Sequence, residues 1–149
     1  MITAEQIKKI RQETGYSVIE CKKALEETDG DEEKALKILE KKGEEIADKR
    51  AEKETKQGLI ETYVHNNGKI GVILELNCET DFVAKNEKFK ELAHDVSMHI
   101  AAINPQNLEE LLTQPFIKDE EKTIKDLVTE AVSKIGENIK IGKFFRLEI

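Results

Sequence analysis

Ile70-Gly-Val-Ile-Leu-Glu-Leu-Asn-Cys78 runs straight into Glu79-Thr-Asp-Phe-Val-Ala-Lys85. Up to Cys78 the period is two: Ile70, Val72, Leu74, Leu76 and Cys78 are apolar, and Glu75 and Asn77 fall between them. Successive side chains of a strand point to opposite faces, so this pattern predicts a strand with one buried and one wet face. Upstream, Leu59–His65 is a second strand, and Asn66-Asn67-Gly68 predicts a tight hairpin in which Asn-Gly supplies positive φ angles. Downstream, Ile139, Ile141, Phe145, Leu147 and Ile149 alternate with Lys140, Arg146 and Glu148, adding a third strand. A small antiparallel sheet follows, and with the helices read below the fold class is α+β.

The first 43 residues read as three short helices. Thr3 with Gln6 and Ser17 with Glu20 have capping-box spacing, the turn Thr14-Gly15-Tyr16 separates the first two helices, and Gly30-Asp31 separates the second from the third. Val18, Cys21 and Leu25 mark one face of the second; Ala35, Leu36 and Leu39 mark the third, which is expected to stop at Gly43. Residues 44–57 are almost wholly charged, which suits a solvated helical connector. The organisation expected is therefore a bundle over 1–43, a connector over 44–57 and an α+β core over 58–149.

Within that core a long helix after Thr80-Asp81-Phe82 is marked by Phe89, Leu92, Ala93, Val96, Ile100 and Ile103, and ends ahead of Pro105. A less regular segment with Leu108, Leu111, Leu112 and Pro115 leads to another amphipathic helix, bearing Ile124, Leu127, Val128, Ala131, Val132 and Ile135 and closed by Gly136.

Composition narrows the function classes. A net charge of −7 disfavours broad nucleic-acid binding, which needs excess Lys and Arg to displace counterions from phosphate, and points to a protein partner. Between positions 40 and 57, Lys41, Lys42, Lys49, Arg50, Lys53 and Lys56 are matched by Glu40, Glu44, Glu45, Asp48, Glu52 and Glu54, leaving no basic patch. Cys21 and Cys78 stand far apart in sequence, fitting neither a disulfide framework nor a zinc site, so a reducing compartment is expected. No leader pattern or apolar run of bilayer length is visible, and the expectation is a cytoplasmic protein.

Catalytic groups are scarce. His94 and His99 lie five apart on the long helix, off a common face, and both read as surface or partly packed residues, with His65 near the hairpin turn. Cys78 has Glu79 beside it, which disfavours a thiolate. No glycine spacing makes a phosphate loop, and a hydrolase using Cys78 or His94 lacks a base, an orienting group and an oxyanion site. The reading is of a non-enzyme with no cofactor and no metal. Thr80-Asp81-Phe82-Val83 remains, with two readings open: Thr80 or Asp81 caps the next helix while Phe82 enters the core, or the corner holds Phe82 and Asp81 out towards a partner.

Glu75-Leu-Asn-Cys-Glu-Thr-Asp-Phe-Val-Ala-Lys85 resembles the signature of the elongation factor Ts family. Arg11-Gln-Glu-Thr-Gly15, Cys21-Lys-Lys-Ala-Leu25 and Lys134-Ile-Gly-Glu-Asn-Ile139 resemble further segments of it, with Ile10 where Leu is usual. The resemblance implies a three-helix unit similar to ubiquitin-associated domains (UBA-like) that docks on the nucleotide-binding domain of elongation factor Tu through Arg11, Val18, Ile19 and Lys22. It further implies that Thr80, Asp81, Phe82 and Val83 approach the magnesium and phosphate site of that GTPase and promote GDP release, Phe82 as the wedge. The chain resembles short family members, with one sheet core and no coiled-coil insertion; such members are expected to form homodimers, with the sheet as the contact. The rival class is a UBA-like binding adaptor without exchange activity, which the N-terminal helices alone would permit.

Overall fold

A computed structural model describes residues 1–149. The N-terminal bundle comprises α1 (Ala4–Thr14), α2 (Val18–Glu27) and α3 (Glu32–Arg50). Thr3 closes a full capping box with Gln6, and Gly15 ends α1 in the left-handed conformation, φ 74°. Ser17 caps α2 by accepting the Glu20 N–H, but the Glu20 carboxylate pairs with Lys42 of α3 at 3.0 Å instead of returning to the cap, so the second box is only half made. Ile10, Tyr16, Cys21, Ala24, Leu25, Ala35 and Leu39 form the bundle's small core.

The third helix does not stop at Gly43. It continues to Arg50, a length of roughly 28 Å at 1.5 Å per residue. Gly43 is buried because the chain crosses Tyr16 there: a Cβ would stand 2.4 Å from the Tyr16 hydroxyl, which is bonded to Ser133 at 2.8 Å. The segment expected as a solvated connector thus has a packed face, with Ala47 against the main core.

That main core lies under a sheet of order β1-β2-β5, all antiparallel, built from β1 (Gln57–Val64), β2 (Ile70–Cys78) and β5 (Ile139–Glu148). Val72, Leu74, Leu76 and Cys78 face inward against Phe89, Val96 and Ile100 of α5 (Glu87–Ile103). The β1–β2 connection is looser than the sequence pattern indicates. His65 N–H donates to the Ile70 carbonyl around a four-residue loop in which Gly68 alone has positive φ, while the Asn67 side chain accepts the Lys69 N–H.

β5 is not one alternation. Leu74 pairs with Phe144 but Leu76 pairs with Ile141, so Gly142 and Lys143 together oppose Glu75 in a bulge. A Cβ on Gly142 would collide with the Glu75 carboxylate, which accepts the Lys143 N–H at 3.3 Å. The extra residue reverses the facing. Ile139 and Ile141 point inward, then Phe144 and Arg146 take the inner face, and Phe145 and Leu147 turn out to solvent.

The long helix expected directly after Phe82 is preceded by a one-turn helix, α4 (Asp81–Ala84), and starts afresh with Asn86 as its cap. Between α5 and α7 (Ile124–Ile135), the segment read as irregular holds α6 (Leu108–Thr113) and a hairpin of β3 (Pro115–Phe116) and β4 (Asp119–Thr123). His99 ties that hairpin to α5 and is fully buried, not superficial. Its Nδ1 accepts the Ile117 N–H at 3.3 Å, so Nε2 carries the proton and donates to Gln114 at 2.9 Å.

Burial depresses the His99 pKa below its ordinary value of 6.5, against the raising effect of the Gln114 bond. The folded state therefore disfavours the charged ring, and its stabilising contribution, complete above about pH 6.5 where the unfolded chain is also neutral, declines as the pH falls through the folded pKa. Melting temperatures between pH 7.5 and 5 should fall more for the wild type than for His99→Gln; parallel curves would exclude His99 as the source.

Candidate functional site

β2 delivers the chain to a corner. Its last residue, Cys78, is buried and donates its S–H to the Thr80 carbonyl at 3.2 Å; burial, aided by nearby carboxylates of which Glu137 acts most, pushes the thiol up to about 11. At neutral pH it is an unreactive thiol, and burial raises Cys21 as well. Thr80 is the cap of α4: its backbone is extended and its Oγ1 accepts the Val83 N–H at 3.4 Å. Ala84 packs into the core and Val83 is half-buried against it. Residue 82 lies about 200° around the helix from residue 84, so burying Ala84 turns Phe82 outward. Phe82 is 90% exposed.

Of the two readings of the corner, the geometry therefore combines a cap at Thr80 with an aromatic held out from the fold. Asp81 is also exposed and pairs with Lys85 at 3.0 Å. A carboxylate in the first turn of a helix is favourably placed against its positive end.

The other candidate residues lie on the bundle. Arg11 and Val18 line a shallow depression with Ala4, Ile7, Lys8 and Gln12 between α1 and the start of α2. Val18, expected on the buried face of α2, is 46% exposed, and neighbouring Ile19 is 73% exposed. Lys22 is exposed one turn further along, loosely paired with Glu26 at 3.9 Å. Apolar side chains rimmed by cations make a surface suited to a folded protein partner. The two groups of candidates sit on different parts of the chain, joined by α3. Its C-terminal Arg50 donates twice to the Gly136 carbonyl, at 2.9 and 2.6 Å, and lies 3.8 Å from Glu79 beside the corner.

Residues 79–149 match the family model described as Elongation factor TS. Across the chain, similarity extends to the curated elongation factor Ts proteins of Thermodesulfovibrio yellowstonii, at 43% identity covering 99% of this chain and 96% of the relative. It extends also to that of Fervidobacterium nodosum, at 42% with 99% and 98% covered. The chain belongs to the elongation factor Ts family. Membership makes it a translation elongation factor. The family match begins at Glu79, the first residue of the corner, and ends with the closing strand. Similarity to the first relative runs over 192 positions against 149 residues here, so 43 or more positions of that relative have no counterpart in this shorter chain.

Sequence reasoning missed the residues that hold the corner. Glu79, Glu137, Asn138 and Arg50 converge there from three elements, and no local pattern announces a meeting of positions more than fifty residues apart. The sequence signals are the two segments that resemble the family, Glu75–Lys85, which carries Glu79, and Lys134–Ile139, which carries Glu137 and Asn138; Arg50 has none.

Because its ring touches solvent and not the core, Phe82→Ala should shift stability by no more than about 0.5 kcal/mol. Leu76→Ala, on the buried face, should cost about 2–5 kcal/mol. Urea unfolding of the two variants separates an outward tip from a core residue; a large loss for Phe82→Ala would place the ring inside.

Proposed function

We propose that the chain is a guanine-nucleotide exchange factor for elongation factor Tu. The observation that supports this most is the exposed Phe82 on a braced one-turn helix, in a segment where the family match begins. In this reading Arg11, Val18, Ile19 and Lys22 dock the bundle on the nucleotide-binding domain of the GTPase. Thr80, Asp81, Phe82 and Val83 then enter beside its magnesium and phosphate site.

The chain acts by linkage and makes or breaks no covalent bond. If it binds the empty GTPase more tightly than the GDP-bound form, GDP must weaken its binding by the same ratio, and each ligand expels the other. A ring that is buried only in the disrupted conformation favours that conformation by about 1.5–3 kcal/mol, equivalent to roughly ten- to a hundredfold in affinity. Phe82 is free to contribute this because the fold does not use it. The site of action is the cytoplasm, where translation takes place, and no helix of the chain is long and apolar enough to cross a membrane.

A homodimer completes the proposal. The outer face of the sheet carries Ile60 and Val64 from β1, Ile73 from β2, and Phe145 and Leu147 from β5, with Phe145 68% and Leu147 75% exposed. The register sets Thr62, Ile73 and Phe145 in one row and Val64, Gly71 and Leu147 in the next, so the apolar side chains form one continuous patch. A solvated sheet face is ordinarily polar. Two copies related by a twofold axis would cover these patches against each other as stacked sheets.

Wild-type protein should accelerate release of a fluorescent GDP analogue from elongation factor Tu, and Phe82→Ala should lose about ten- to a hundredfold of that acceleration, the ring's estimated contribution. Binding without acceleration by the wild type would indicate an adaptor; equal acceleration by both proteins would remove Phe82 from the mechanism. In light scattering across a concentration series, the wild type should approach twice the chain mass, and a Phe145→Lys, Leu147→Lys variant should remain at the single mass. A wild type that stays monomeric throughout would end the dimer proposal.

A further inference from the structure

The tip is a one-turn helix, and one turn does not hold itself: nucleation fixes several dihedrals for one hydrogen bond. Phe82 cannot anchor it, since its ring is in solvent. Ala84, buried in the core, holds the C-terminal end of the tip, and the restraint on its capping end comes from the turn between α7 and β5. Both oxygens of Glu137 are engaged by Thr80: the Thr80 N–H donates to Oε1 at 3.0 Å and the Thr80 hydroxyl donates to Oε2 at 2.7 Å. One carboxylate thereby fixes the backbone of the capping residue and the direction of its hydroxyl, leaving the Oγ1 lone pairs towards the Val83 N–H.

Glu137 is itself held. On the neighbouring residues the exchange is repeated in reverse, with the Asn138 N–H donating to Glu79 Oε2. The Asn138 side chain, 4% exposed, donates to the carbonyls of Ala51 and Lys53, at 3.3 and 2.8 Å. Arg50 grips the Gly136 carbonyl. The turn is consequently a rigid platform, and Glu137 is its contact with the tip.

We propose, resting on the exchange reading, that Glu137 is a positioning residue for nucleotide release: it orients the Thr80–Val83 turn so that Phe82 meets the partner at a fixed angle, and it contributes little to docking. Docking belongs to the bundle surface around Val18 and Ile19. Loss of Glu137 frees the capping end at Thr80, so that Phe82 shifts about the buried Ala84 while the docking surface stays intact, and the defect appears after the complex has formed.

The test titrates the full-length factor into elongation factor Tu loaded with a fluorescent GDP analogue and reads the plateau release rate and the half-saturating concentration separately. Glu137→Ala should lower the plateau by up to about tenfold, no more than the loss expected on removing the ring itself, with the half-saturating concentration unchanged. Glu137→Gln, which keeps an acceptor for the Thr80 N–H, should recover part of the plateau. A wild-type plateau in Glu137→Ala overturns the proposal, and so does a raised half-saturating concentration with an unaltered plateau. If circular dichroism shows Glu137→Ala unfolded, Glu137→Gln decides: a plateau below wild type supports the proposal, and a wild-type plateau or an unfolded protein overturns it. If the wild type gives no acceleration, the exchange reading itself falls. The brace is then judged by hydrogen exchange at Val83 and Ala84: faster exchange in Glu137→Gln supports it, and an equal rate overturns it.

Discussion

Glu79 and Glu137 each accept a backbone N–H from the segment that carries the other, and the geometry of the corner that holds Phe82 out rests on that exchange. It joins the end of β2 to the start of β5 where neither strand's ladder extends, and it leaves the carboxylates with charge-assisted bonds in place of water. Arg50 brings the end of α3 into the same junction through Gly136 and Glu79. Three elements that would otherwise fray at one end of the molecule are thereby fastened where the chain must present an exposed aromatic.

α3 carries this order to the bundle. The bundle buries only seven side chains of its own, but Tyr16 reaches across Gly43 to Ser133 on α7, and α3 packs along α7 beyond that crossing. The exposed apolar surface around Val18 and Ile19 and the exposed Phe82 consequently belong to one body. In the proposed exchange reading that stiffness matters: a flexible linker would leave the tip's position undetermined after docking, whereas a stiff helix lets contact at one end set the position of the other.

Much of this was legible in the sequence because it depends on short-range chemistry. The capping residues Thr3 and Ser17, the helix break at Gly30-Asp31, the alternation along Ile70–Cys78 and the α7 stop at Gly136 all read correctly, since each depends on neighbours within a turn or a strand. Gly43 misled because a glycine that admits a tyrosine hydroxyl has the same letter as one that ends a helix. His99 misled for a similar reason: its buried place depends on Gln114 and Ile117, which the sequence does not set beside it. At the corner, the residue types allowed Phe82 to go in or out; burial of Ala84 two positions on selects outward, and that is a tertiary fact.

The β5 bulge has a consequence for how such a surface can change. Gly142 and Lys143 opposite Glu75 divide the strand into a stretch answering to the interior and a stretch whose odd residues answer to whatever the outer face meets. Substitutions would tune that face by degrees. Loss of one residue at the bulge would instead leave a regular ladder with Phe144 still opposite Leu74, so Phe145 and Leu147 would stay on the outer face. The outer face thus survives at the bulge a change in chain length that, within the regular part of the strand, would turn it inside out.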